Sequence, residues 1–184
     1  MHSIKDIYYN PKFFTDEEID AFCSKHEVSS TNNWIDAKVT GPQNYNPSFR
    51  KTKLKLLSPS STDYFLMKFV FGVMEANHKK FKKDIKTYLL EALNLLKYTK
   101  DLDHFKMHND NGGAPSKRQL SCIVFLSNED YYEGGGLVFY GNKNKEGRFR
   151  LQTEKGTLIV FPSEMFHEVT PVTNGTRLSL VMWV

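Results

Sequence analysis

From about residue 85 to its end the chain is cut into short apolar runs by glycine- and asparagine-rich breakers, and no other feature narrows its fold as much. The breakers are Asn111-Gly112-Gly113, Gly134-Gly135-Gly136, Gly141-Asn142, Gly156 and Asn174-Gly175. Between them lie eight runs, over residues 89–97, 105–108, 119–126, 137–140, 148–152, 157–161, 168–172 and 177–184. Each is long enough for a strand and short for a helix. Eight such strands predict a sandwich or a double-sheet jelly roll, the arrangements by which antiparallel sheets hide their edges and share a core.

The preceding half reads differently. Thr15 followed by Glu18 is a capping box that opens a helix over 16–26. Phe65, Phe69, Val70 and Val73 recur at helical spacing and predict a second helix over 62–76. Strands are expected over 34–39 and, from the alternation of Lys with Thr or Leu, over 51–57. The intervening TGPQNYNPSFR (40–50) is loop chemistry and a candidate active-site lid. The expected class is mainly β with flanking helices (α+β): one domain over 1–184, its helices, within about residues 1–85, covering the β core.

Composition excludes several functions. No run approaches the roughly 18 apolar residues of a membrane span, and residues 1–10 lack a signal-peptide core. Two cysteines, Cys23 and Cys122, make neither a disulfide framework nor a paired-cysteine zinc site, which suits a cytoplasmic protein with both packed as small hydrophobes. The net charge of +4 is modest and no nucleic-acid motif is present. Much of the surplus sits in Lys79, Lys80, Lys82, Lys83 and Lys86, read as a solvated face or, functionally, as a dock for an acidic partner.

The chemistry-bearing segment starts at His108-Asn109-Asp110. On a strand, residues two apart share a face, so an imidazole and a carboxylate point into one pocket. His167, directly after the strand at 157–161, supplies a second imidazole. Two histidines and one carboxylate with three open positions are the ligand set of non-haem Fe(II) oxygenases, whereas catalytic zinc usually leaves one. His104 shares the parity of His108 but has no carboxylate two positions on. Arg177 follows His167 by ten residues, across Thr173-Asn174-Gly175. A two-residue turn would point Arg177 away from His167. A three-residue loop with left-handed Gly175 pairs 171 with 177 and puts both on one face, and this form is expected. A guanidinium buried there needs an anion, best a bidentate carboxylate such as that of a cosubstrate.

Residues 96–184 resemble the Fe(II)/2-oxoglutarate-dependent dioxygenases, and among them the prolyl 4-hydroxylase-like group and its bacterial and phage relatives. The resemblance rests on HND (108–110), KRQLSCIVFLSNEDYYEGGGLVFY (117–140) and KGTLIVFPSEMFHEVTPVTNGTRLSLVMWV (155–184). Phe13 to Glu18 looks like the opening helix of that group, extending the likeness over the whole chain. It implies a double-stranded β-helix, a jelly-roll variant. It further implies Fe(II) on His108, Asp110 and His167, and 2-oxoglutarate held through its distal carboxylate by Arg177, with a hydrogen bond from Tyr98. O2 would be the oxidant, ascorbate a reductant, and succinate and CO2 the by-products. Arg118 and Trp183 match positions near the substrate in some relatives.

Departures exist as well. Phe125 stands where some prolyl hydroxylases have a second tyrosine, Arg177 replaces the lysine of collagen-type enzymes, and Asp110 argues against halogenation. The implied activity is hydroxylation of an unactivated C–H, first of all of a prolyl residue in a peptide or protein. Alternatives are a free amino acid or small metabolite as substrate, and a non-catalytic jelly-roll binding module.

Overall fold

The computed structural model describes residues 1–39, 45–58, 63–85, 91–111 and 118–184. In chain order it contains β1 (Tyr8–Asn10), α1 (Asp16–Lys25), β2 (Ile35–Asp36), β3 (Arg50–Lys51), β4 (Lys53–Leu57) and α2 (Tyr64–Ala76), which runs into a π-helical turn (Asn77–Phe81). Then follow β5 (Leu93–Thr99), β6 (His104–His108), β7 (Leu120–Phe125), β8 (Tyr132–Gly134), β9 (Leu137–Tyr140) and β10 (Phe149–Arg150). The chain ends in β11 (Leu158–Pro162), β12 (Phe166–Val169) and β13 (Val172–Trp183).

The strands form two antiparallel sheets. The major one runs β1-β11-β7-β13-β5-β4-β2, with β8 paired to the start of β13, and the minor one runs β10-β9-β12-β6-β3. Side chains of the major sheet alternate between two cores, as a period of two requires. Leu93, Leu95, Leu120, Cys122, Val124, Leu158, Val160, Leu180 and Met182 meet the helices through Phe14, Ile19, Phe22, Phe65, Phe69 and Val73. Leu96, Tyr98, Ile123, Phe125, Ile159, Phe161 and Val181 face inward to Leu137, Phe139 and Val169 of the minor sheet. All six residues of β7 are buried, which is why its sequence reads as an apolar run interrupted by Ser121 alone. Each phenylalanine set between helix and sheet contributes about 1.5–3 kcal/mol.

Both helices start where the chain asks them to. Thr15 accepts from the Glu18 N–H at 3.2 Å while Glu18 accepts from the Thr15 N–H at 2.8 Å. Asp63 caps α2 through the Leu66 N–H at 3.1 Å. Among the described residues, no helix is long and apolar enough to cross a membrane.

Several expectations need correction. The hairpin at 173–175 does not form: β13 runs continuously from Val172, and β12 and β13 lie in different sheets. Gly175 does take a left-handed φ of +72°, but inside β13, where the pairing with β8 shifts register between Val172 and Asn174. The bulge against β8 falls at Thr173, and Asn174-Gly175 pair regularly with Glu133 and Tyr132 rather than making a turn. His167 follows β11, as expected, but lies within a further strand, β12. The stretch 51–57 is divided: β3 pairs with β6 in the minor sheet and β4 with β5 in the major one, the chain crossing between them at buried Thr52. Its alternation is not half-exposed either, since Lys55 is buried and donates to the carbonyls of His26 and Glu27. Strand β2 is only two residues long, and β1 and β8 were not expected.

Candidate active site

His108 ends β6 and His167 lies opposite it on β12, as direct cross-strand partners. Asp110, two residues past His108, is held where it is by its N–H donating to the Ser163 carbonyl at 2.8 Å. Its carboxylate oxygens lie 3.5 Å from His108 Nε2 and 3.5 Å from His167 Nε2, and the three potential ligand atoms fall within 4.8 Å of one another. Each imidazole sets Nδ1 against a backbone carbonyl, His108 on Lys106 at 2.8 Å and His167 on Met165 at 3.0 Å. Only an N–H satisfies such a contact, so both Nε2 lone pairs are left facing Asp110.

Two buried serines orient the carboxylate. Ser121 Oγ donates to Asp110 Oδ2 at 2.6 Å and so receives its contact with Ser163 Oγ, at 3.0 Å, from the Ser163 hydroxyl. Burial opposes ionisation of Asp110, yet His167, His108 and the Ser121 hydroxyl outweigh it and hold the acid well below the usual carboxylate range. Burial, reinforced by the neighbouring His108, pushes His167 down to about 4. At neutral pH the cluster is an anion beside a neutral His167, the protonation state a divalent cation requires.

A register shift between β6 and β12 opposes a three-residue step, Phe105 to His108, to the two-residue step from Val169 to His167. This bulge brings Phe105 onto the face of His108, where the rings stack with centroids 3.5 Å apart. The same irregularity removes His104 from the site. Its ring nitrogens approach the carbonyls of Leu102 and Ser48 instead.

Arg177 faces the cluster from the other sheet. With Ser179, Val181 and Trp183 it forms the inward row of β13, and with Tyr98, Ile123, Leu137 and Val169 it lines the cavity that holds the three ligand candidates. Arg177 is 1% exposed and lies between the rings of Tyr98, 5.2 Å away, and Phe125, 5.3 Å away. Its Nη1 donates to Ser179 Oγ at 3.1 Å, whereas Nε and Nη2 have no hydrogen-bond partner among the described residues. Two free parallel N–H groups on one edge of a buried guanidinium match one carboxylate. His167 and Arg177 thus share a pocket, though from facing sheets and not through a hairpin. Tyr98 is the cross-strand neighbour of Arg177 and 1% exposed, and burial raises its hydroxyl while Arg50 and Arg177 oppose that.

Arg118 and Trp183 meet at the rim. The guanidinium stacks on the indole at 3.9 Å, holds Glu91 through Nε at 2.7 Å and Nη2 at 2.5 Å, and reaches the Asp110 carbonyl at 3.5 Å. Sequence reasoning missed Arg50, whose guanidinium lies 4.5 Å over Phe105 and lines the same cavity. No local pattern marks it, since its place follows from the pairing of β3 with β6. It also missed Glu91, Ser121 and Ser163. The candidate lid lies partly outside the described residues, at 40–44, and in the remainder Asn46 accepts from the N–H groups of Phe49 and Arg50. Of the lysine cluster, Lys79 pairs with Glu75, Lys80 donates to the Lys5 carbonyl, and Lys86 lies outside the described residues.

The profile of the 2OG-Fe(II) oxygenase superfamily matches residues 93–184, half of the chain and the part that carries every residue of this cavity named above except Arg50. The chain belongs to that superfamily. It is an iron- and 2-oxoglutarate-dependent dioxygenase that uses O2. A relative named PKHD-type hydroxylase, from Azoarcus sp. (strain BH72), is 27% identical over 176 residues, covering 90% of this chain and 76% of its own. A Pseudomonas putida prolyl-4-hydroxylase superposes with a TM-score of 0.71 at 17% identity, over 97% of this chain and 91% of that one. A prolyl hydroxylase from Trichoplax adhaerens, in complex with a hypoxia inducible factor peptide fragment, gives 0.72 at 16% identity, over 98% and 83%. At these identities the two structures establish a shared fold for this oxygenase.

Proposed function

We propose that this oxygenase hydroxylates a prolyl residue in a peptide or protein, with Fe(II) held by His108, Asp110 and His167 and 2-oxoglutarate by Arg177 and Tyr98. The observation that carries the site assignment is the buried Arg177, with its unpartnered Nε and Nη2 in the same cavity as the His/Asp/His cluster. The donor set fits the metal, and the free guanidinium edge fits the distal carboxylate of the cosubstrate. The choice of a prolyl substrate is supported by the likeness to a PKHD-type hydroxylase and to two prolyl hydroxylases.

Bound there, Fe(II) and 2-oxoglutarate supply the oxidising power for C–H hydroxylation, 2-oxoglutarate leaving as succinate and CO2. The chain's own side chains organise that chemistry. Lys106 and Met165 carbonyls fix the imidazole tautomers, and Ser121 fixes the carboxylate. Ser179 orients Arg177 so that its Nε/Nη2 edge, not its tip, receives the anion. Leu96, Ile123, Leu137, Val169 and Val181 keep the pocket apolar between these groups, which strengthens the ionic contacts within it. The Arg118–Trp183 stack and Arg50 stand at the rim, where a peptide would enter.

The test is mass spectrometry of proline-containing peptides, and of free proline, after incubation with enzyme, Fe(II), 2-oxoglutarate and air. A peptide proline that gains one oxygen atom, with one succinate formed per oxygen, supports the reading. Oxidation of free proline or another metabolite, with proline-containing peptides untouched, would overturn the peptide assignment.

A further inference from the structure

Three consecutive glycines end β8 and make the turn to β9, Gly134 in the strand and Gly135-Gly136 in the turn, and the middle one packs beside the Arg177 side chain. Gly135 has a φ of +59° and is pinned by its N–H to the Pro171 carbonyl at 3.1 Å. A β-carbon there would sit 2.9 Å from Val172 Cγ2, 3.1 Å from Arg177 Cδ and 3.1 Å from Tyr132 Cε2, all closer than ordinary contact at 3.4–4 Å. Val172 is fixed, its backbone bonded to Leu102 and Asp103 and its side chain fully buried. Tyr132 is buried at the base of β8. Arg177 is the neighbour with freedom to move, for among the described residues its guanidinium is tied by one hydrogen bond, from Nη1 to Ser179. The flanking glycines do something else. A β-carbon on Gly134 would lie 1.9 Å from the Pro171 carbonyl oxygen, a purely backbone demand, and one on Gly136 would meet the Arg150 guanidinium, away from the cavity.

We propose that Gly135 is a positioning residue for the cosubstrate: the side chain it lacks is the space that lets Arg177 lie back against the β8–β9 turn. That depth sets the distance from Arg177 to the His/Asp/His cluster, and so the length of 2-oxo diacid the cavity accepts. The inference rests on the reading that Arg177 holds the distal carboxylate.

The experiment is anaerobic calorimetric titration of Gly135→Ala with Mn(II) alone, then with 2-oxoglutarate and with oxaloacetate, one carbon shorter, on the Mn(II)-loaded protein. A β-carbon at 135 displaces Arg177 by several tenths of an ångström toward the cavity, which misaligns a two-point clamp. The expected result is Mn(II) affinity unchanged and 2-oxoglutarate affinity lowered about tenfold, with oxaloacetate losing less. Gly147→Ala is the control. It places the same substitution at a φ of +61° with its nearest contacts at 3.4–3.5 Å, against Gly141 and Met1, and leaves both affinities unchanged. If Gly135→Ala folds poorly, the double variant Gly135→Ala/Val172→Ala relieves the closest contact and keeps the one to Arg177. Wild-type affinity and diacid preference in a folded Gly135 variant, while Arg177→Met loses 2-oxoglutarate, would overturn this inference alone. Wild-type affinity in Arg177→Met would overturn the reading beneath it.

Discussion

Replacing Arg177 by methionine separates the price of burying this side chain from its use. The guanidinium is 1% exposed, with Nη1 on Ser179 and Nε and Nη2 unpartnered among the described residues. A buried donor without a partner costs roughly 1–3 kcal/mol, so two disfavour the ligand-free fold by roughly 2–6 kcal/mol. Methionine keeps most of the volume between the Tyr98 and Phe125 rings, and what is lost is the bond to Ser179, about 1.5–3 kcal/mol for a charged donor. The net expectation is a gain of about 2 kcal/mol without ligand, or roughly 4–8 °C in Tm for a chain of this size. Binding moves the other way. Wild type at a cosubstrate concentration of about 100 Kd gains about 2.7 kcal/mol. In the variant the cosubstrate carboxylate would be buried without its partner, at a cost of roughly 3–5 kcal/mol, and binding adds almost nothing. Scanning calorimetry on the Mn(II) form, with and without 2-oxoglutarate, reads both effects. An Arg177→Met protein that melts below wild type without ligand, yet still shifts upward with 2-oxoglutarate, would refute the reasoning.

Ser121→Ala removes the hydroxyl that orients Asp110 and should weaken Mn(II) binding roughly 10–100-fold in direct titration, and an unchanged affinity would show that the serine pair is passive. Glu91→Gln releases Arg118 from its paired grip at the rim. It should raise the peptide KM by about tenfold while 2-oxoglutarate affinity stays put, and equal losses for both ligands would contradict a rim role. Asp63→Ala removes the α2 cap and should cost about 1–2 kcal/mol in urea unfolding at neutral pH. Burial raises the Asp63 acid, but Lys25 and the Leu66 N–H outweigh it, so its folded pKa lies below the model-compound value of 3.8. The stability it contributes is therefore present above that value and lost as pH falls through the folded pKa. Asp63→Asn should keep the cap and flatten this acid limb, and an unaltered limb would disprove the assignment.

Local rules served well where one local interaction decides the outcome. The Thr15–Glu18 capping box, the apolar repeat of α2 and the apolar stretch of β7 were all legible, and the His-x-Asp spacing marked His108 and Asp110, although Asp110 lies past the end of β6 and is held there by Ser163 rather than by a shared strand face. What escaped was set by partners distant in sequence. Asn174-Gly175 has the chemistry of a turn, but β8 pairs with this segment and holds the positive φ of Gly175 inside one long strand. The stretch around Thr52 carries no mark that its two ends join different sheets. Strand β1 is three residues long and owes its existence to pairing with β11. Arg50 and Phe105 reach the cavity through the β3–β6 pairing and the bulge beside His108, and no periodicity of their own announces either.

The most direct measurement is anaerobic titration of the metal-free protein with Fe(II) and then 2-oxoglutarate, followed by visible absorption, beside Asp110→Ala and Arg177→Met. A weak metal-to-ligand charge-transfer band should appear in wild type on addition of 2-oxoglutarate, fail in Asp110→Ala for want of iron, and in Arg177→Met require far more cosubstrate. A folded wild-type protein that binds Fe(II) and shows no band at saturating 2-oxoglutarate would contradict the joint assignment of the His/Asp/His cluster and Arg177.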